Sequence, residues 1–281
     1  MPIQPAAAAC STFTTPRKAR GMDLTPAGET LLTHARRMLL SVEKIGLELA
    51  EHAQGVRGYV RMVANLSAIV QFLPEDLRAF LHQHEQVKLD LEERTSGNVV
   101  KGVEDSWADI GICSGHVETR DLHVELYRRD QLVLVMRGDH PLAARGSAAF
   151  DETLEYEHVG LHTDSSINSR SHVASRAAGK ALKMRIHVPG FDAVCRMAQA
   201  GMGVGVIPDG VYQAIGSQLG LVSMPITDAW SHRELKLVVR DVDALTPASK
   251  ALHDYLRVAE ARAEEKSPSV KKSSKSSSRK R

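Results

Sequence analysis

Residues 17–29 read Arg-Lys-Ala-Arg-Gly-Met-Asp-Leu-Thr-Pro-Ala-Gly-Glu, the end of one unit running into a helix. Thr25-Pro26 is a helix start: the Thr side chain accepts from free first-turn N–H groups, and Pro at the first helical position gives up no bond. Glu29 suits the helix dipole but falls one residue too late for a capping box. Onward, Leu31, Ala35, Met38, Val42, Ile45 and Leu49 recur at spacings of 4, 3, 4, 3 and 4. A period of about 3.5 residues keeps one apolar seam facing a partner helix. Arg36, Arg37, Glu43, Lys44 and Glu48 lie off that seam. The spacing predicts a helix to about Gln54, closed by Gly55 and Gly58, that pairs with a second copy. Packing on its own domain is the alternative.

The rest of the chain bounds what that helix serves. Of 281 residues, 43% are hydrophobic and only 4% aromatic, which predicts an ample, aliphatic core in one large domain or two lobes. Net charge is +2, but Lys266–Arg281 holds seven basic residues and no acid, leaving residues 1–265 at −5. That tail would contact DNA phosphates without sequence preference or merely solubilise the chain. No apolar run reaches the ~20 residues that span a bilayer, and Ala6–Ala9 lacks the basic residue of a secretory signal. Cys10, Cys113 and Cys195 are odd in number and widely separated; a reducing cytoplasm fits, with Cys113 and Cys195 as small core residues.

From Tyr59 the periodicity changes. The pattern predicts a strand at 59–64, a helix at 69–84, a strand through Val87, Leu89 and Leu91, a helix at 98–105 and a strand at 108–113. This β-α-β-α-β order implies a parallel sheet with right-handed crossovers. Separate strands follow at 122–127 and 131–137. Pro141 opens a second unit with strands at 158–161, 184–188 and 203–207 and a helix at 191–200. A strand at 221–225 leaves it, one at 234–240 returns, and a helix runs from about Pro247 to Glu264. Two lobes joined by two crossing strands are the anatomy of a hinged ligand-binding protein.

Leu24-Thr25-Pro26-Ala27-Gly28-Glu29, followed by Leu31-Leu32 and His34-Ala35-Arg36-Arg37, resembles the linker helix of the LysR-type bacterial transcriptional regulators. Leu73-Pro74, Asp109-Ile110-Gly111-Ile112, His140-Pro141-Leu142 and Ala200-Gly-Met-Gly-Val-Gly-Val-Ile-Pro208 follow in that family's order and spacing. The resemblance runs from Arg17 to about Glu264. It implies an α/β fold: a long linker helix, then a two-lobed effector domain like a type 2 periplasmic binding protein. Lobe I would be residues 58–135 and 233–265, lobe II residues 136–232, and the linker residues 24–56. It implies a small-molecule effector between the lobes, promoter DNA, and a homodimer or homotetramer. Arg17 and Arg20 match the family's DNA-contacting wing, within a remnant at 17–23. Residues 1–16 lack periodicity and carry Thr14-Thr15 where the family has a Leu-Phe pair, so no recognition helix is found there. The expectation is a regulator incomplete at its N-terminus. A stand-alone dimeric small-molecule-binding module and a secreted solute-binding protein are the rival readings; the helix at 25–54 and the missing signal argue against the latter.

Clefts in open α/β sheets form at the carboxyl ends of strands, where helix N-termini offer free N–H groups. Asn65 and Ser67 follow the first strand, Thr95 and Ser96 the second, and Ser114 the third. By resemblance the segments around Ser67 and Ser96 face the cleft; ordinary N-capping is the competing role. His162 and Thr163, in a polar stretch after the 158–161 strand, are the expected opposite wall. Small hydroxyl and amide residues suit a polar or anionic effector. Gly201, Gly203 and Gly205 read as strand packing, since no phosphate-loop Lys-Ser/Thr follows. There is no G-x-S-x-G, H-E-x-x-H or C-x-x-C, and His116 and Glu118 lack a Cys pair to complete a zinc site. The sequence therefore predicts no enzyme, cofactor or metal centre.

Overall fold

The computed structural model describes residues 24–32, 34, 35, 38, 39, 42, 45 and 58–266. Arg17, Arg20, Leu49 and the basic tail beyond Lys266 lie outside the described residues. At the first helix, Gly28 N donates to Thr25 Oγ1 (3.1 Å), the cap its sequence predicts. The described seam residues Leu31, Ala35, Met38, Val42 and Ile45 are helical. In the single chain Leu31 is 48%, Met38 70%, Val42 66% and Ile45 55% exposed.

Among the described residues nine strands follow: β1 (Tyr59–Ala64), β2 (Lys88–Glu93), β3 (Ile110–Ser114), β4 (His123–Arg137), β5 (His158–Leu161), β6 (Met184–Val188), β7 (Val204–Pro208), β8 (Leu221–Pro225) and β9 (His232–Val239). Their order is β2-β1-β3-β9-β4-β7-β5-β6, with β8 also on β4. β1 pairs parallel with β2 and β3, and β5 parallel with β6 and β7. These parallel sets are crossed by helices α1 (Leu66–Gln71), α2 (Leu73–Gln83), α3 (Ser96–Glu104), α4 (Phe150–Thr153), α5 (Ser166–Ala177) and α6 (Phe191–Gln199), and α7 (Pro247–Arg257) and α8 (Ala259–Lys266) close the fold. Two lobes result, each around its own aliphatic interior. One packs Val60, Phe80, Ile112, Leu237 and Leu252; the other packs Leu134, Phe150, Val194 and Ile207. Cys195 is a buried free thiol in the second of these interiors, Cys113 one in a smaller cluster with Val63, Val99, Val103 and Val238, and burial pushes Cys113 up to about 12 and Cys195 up to about 11.

Three departures from the sequence pattern have physical causes. The helix expected at 69–84 is two. Asn65 Oδ1 accepts from Ala68 N and starts α1 early, while Pro74, lacking an N–H, makes the chain break at Phe72 and restart. The strands expected at 122–127 and 131–137 are one, β4. Its polar middle, which reads as a turn, pairs with β9 through Arg129 opposite Glu234 and Asp130 opposite Arg233, and the register shifts only between Leu126 and Arg128. The last helix is interrupted at Val258. The glycine run packs β7: a Cβ on Gly203 (φ +146°) would meet the Glu157 carbonyl oxygen at 2.4 Å, and one on Gly205 would meet Val194 at 2.5 Å.

Candidate ligand-binding site

The carboxyl ends of β1, β2 and β3 are tied together by one chain of hydrogen bonds. Asn65 Nδ2 donates to Ser96 Oγ (3.2 Å), and Ser114 N donates to the same oxygen (3.1 Å). Both lone pairs of Ser96 Oγ are thereby used, so its remaining capacity is to donate. Ser96 is the first residue of α3, whose N-cap, Thr95, makes no side-chain capping bond. The first-turn N–H groups of α3 are therefore open to a ligand.

A cavity of about 270 Å³ opens beside this turn. Asn65, Ser67, Thr95 and Ser96 line it from the first lobe, with Arg94, Asn98 and Glu93 beside them. The second lobe supplies Leu161, His162, Ser165, Ser166, Ile167 and Phe191. Ser165 and Ser166 begin α5, with Ser165 Oγ accepting from Asn168 N. The positive ends of two helices, α3 and α5, thus face one cavity from opposite lobes. The structure brings together Asn65, Ser67, Thr95, Ser96 and His162. Ser114 lies behind them, fully buried, its hydroxyl 2.8 Å from His116 Nδ1. Thr163 is exposed, its hydroxyl turned to Asp164. Neither lines the cavity.

Two arginines near the lobe junction were not marked by the sequence. Arg233 Nε donates to Asp130 Oδ1 (2.8 Å), its Nη2 contacts Asp130 Oδ2, and both Nη groups reach Ser67 Oγ. Gln71 Nε2 also donates to Asp130 (3.1 Å). Arg170, one turn into α5 beyond Ser166, stands over the Trp230 ring at 5.8 Å and has no carboxylate within ion-pair distance among the described residues. Its own pKa is lowered by burial and then by Arg233. His116, though partly in solvent, is pushed down to about 4, first by desolvation and then by Arg170, Arg233 and Lys236. At neutral pH it is uncharged, so positive potential here comes from guanidinium groups and helix ends.

Sequence reasoning missed Arg170 because it missed α5. The buried face of α5 is Ile167, Asn168, Ser171 and Ser175, mostly small polar residues that leave no hydrophobic period. The available signal was Ser165 as an N-cap. The Asp130–Arg233 pair joins residues 103 positions apart and has no local trace.

The family model described as the LysR substrate binding domain matches residues 53–260. An uncharacterized HTH-type transcriptional regulator of Escherichia coli K12, YbhD, is 24% identical over 236 residues, 83% of this chain and 74% of its own. The effector binding domain of QuiR in complex with shikimate has a TM-score of 0.63 at 19% identity, over 72% of this chain and 97% of that one. Full-length CbnR complexed with its target DNA has a TM-score of 0.66 at 18% identity, over 90% and 86%. Among the described residues no helix is long and apolar enough to cross a membrane.

Proposed function

The chain belongs to the LysR substrate-binding-domain family of transcriptional regulators, and from that premise we infer that it senses a small anionic metabolite between its lobes and conveys occupancy to promoter DNA. The carrying observation is Ser96. With both lone pairs engaged it can only donate, and it stands at an uncapped helix N-terminus facing a second one. Oxygen acceptors bearing negative charge are what such a wall stabilises. Arg170, without an ion-pair partner, supplies the counter-charge near the junction. The QuiR neighbour is described with shikimate bound, and a ligand of comparable size fits this reading.

The test is a melting-temperature screen of small carboxylates and phosphates against neutral polyols, on the full chain and on Arg170→Ala. A ligand held only by the folded form raises the melting temperature by mass action. The expected result is stabilisation by an anion that shrinks in Arg170→Ala. Stabilisation by neutral compounds alone, or an equal shift in both proteins, would sink the reading.

The exposed seam of the first helix belongs to the same function, as the contact with a second copy. Leu31, Ala35, Met38, Val42 and Ile45, with Leu49 continuing their spacing, would interlock as a paired helix. Met38→Asp with Val42→Asp is expected to halve the sedimenting mass; an unchanged mass counts against pairing there. Arg17 and Arg20 enter this reading as phosphate contacts next to the linker, setting affinity rather than sequence choice.

A further inference from the structure

Away from the cavity, three side chains from two elements converge on the first lobe. His123 and Glu125 stand two apart at the start of β4, so both project from one face. The register sets His123 opposite Val239 and Gly111 opposite Val238, level with the start of β3 and far from its cavity end at Ser114. His253 comes from α7, between residues that bury Leu252 and Leu256 in the lobe interior. One ligand atom from each of the three lies within 4.8 Å of the others.

His253 is the informative member. It is 2% exposed, and its Nε2 is buried without a hydrogen-bond partner. A buried polar nitrogen left unpaired forfeits its hydration without replacement, so such atoms are rare in folded proteins and point to a missing partner. Nδ1 lies 3.3 Å from Asp254 Oδ1. Donation of an Nδ1 proton to that carboxylate leaves Nε2 as a lone pair directed toward Glu125, whose Oε2 is 3.8 Å away, too far for a hydrogen bond. Glu125 Oε1 is 3.1 Å from His123 Nε2. A carboxylate orienting an imidazole from behind, so that its other nitrogen faces a second ligand set, is the arrangement around protein metal ligands.

We propose that His123, Glu125 and His253 form a binding site for a divalent transition-metal ion, of the class of Zn²⁺, Ni²⁺ or Cu²⁺, with one coordination position open to solvent. Two imidazoles and one carboxylate select these ions over Mg²⁺ or Ca²⁺, which take oxygen ligands. Metal–ligand bonds of about 2.0–2.2 Å at tetrahedral angles separate ligand atoms by roughly 3.3 Å. The Glu125 carboxylate lies 3.1 Å from His123 through Oε1 and 3.8 Å from His253 through Oε2, and one atom from each of the three residues falls within 4.8 Å of the others, so a small contraction brings them to that spacing. His123, 47% exposed, meets Glu125 Oε1 through its Nε2 on the solvent side of the cluster. The ion would bolt α7 to β4 from outside the lobe, at a distance from the ligand cavity.

The experiment is calorimetric titration of the chelator-treated full chain with Zn²⁺, repeated on His123→Ala, Glu125→Gln and Asp254→Asn. His123 and Glu125 are not in the interior, so their variants keep the fold, which circular dichroism checks. The expected result is one tight equivalent in the wild type, weakened roughly tenfold or more in each variant, including Asp254→Asn, which touches the ion only through His253. Zn²⁺ should also raise the melting temperature of the wild type but not of His123→Ala. No tight equivalent, or one retained in His123→Ala and Glu125→Gln, would overturn the site.

Discussion

Two arginines stand near the junction of the lobes and differ in one respect. Arg233 is 1% exposed at its side chain and enclosed by Asp130 and Ser67; Arg170 is half-buried, lies over an indole ring and meets no carboxylate. The first spends its donors holding β9 to β4 and α1. The second keeps its donors available. A buried, paired cation reports on architecture, whereas a desolvated cation without a partner reports on something that arrives.

The largest expected effect tests the architectural half. Arg233→Ala strands Asp130 in the interior and should lower stability by about 3–5 kcal/mol in urea unfolding, while Arg233→Met with Asp130→Leu should recover most of it. A loss under 1 kcal/mol would place Arg233 in the same class as Arg170. Next comes acid. His158 is buried against Thr153 and the Tyr156 carbonyl, and burial pushes its imidazole down to about 4 from an ordinary 6.5. Between those values the unfolded chain holds a proton that the folded chain refuses. Through His158 alone, stability should therefore fall by about 3 kcal/mol as pH drops from 6.5 to 4, and His116, held near the same value, adds to the loss in that window. Urea curves at stepped pH would reveal it, and His158→Gln should reduce the slope by the His158 share. The arginine comparison is sharpest above pH 6.5, clear of this background. The smallest effect belongs to Arg170→Ala, which should cost about 1 kcal/mol or less, the worth of its ring contact. A larger loss in ligand-free unfolding would make Arg170 a structural residue too.

What could be read ahead of the structure followed from local rules. Alternation at Leu89 and Leu91, the Thr25 cap and the small polar turn residues Ser67, Thr95 and Ser96 after the first strands need only near neighbours, and those turn residues line the cavity on one side; the Asn65 cap, which moves the helix start from residue 69 to 66, went unread. The second wall was half legible. His162 follows a recognisable strand, but α5 buries serines, and hydropathy cannot see a helix whose inner face is hydroxylated. Charges misled in β4, because Arg129 and Asp130 look like a turn until Glu234 and Arg233, about a hundred residues later, are set opposite them. The His123, Glu125 and His253 cluster is similarly hidden, since only α7 lying over β4 completes it.

β4 also constrains how any signal can move. Its backbone is laddered to β9 as far as Gln131 and to β7 from Leu132, without a gap at the crossing. Each rung lies wholly on one side of that point, so among the described residues the backbone joins the halves there only by β4 itself and by the segment from Ile226 to Ser231 that leads into β9. A few degrees of bend or twist between Gln131 and Leu132 leaves every rung intact and is magnified at the outer ends of both halves.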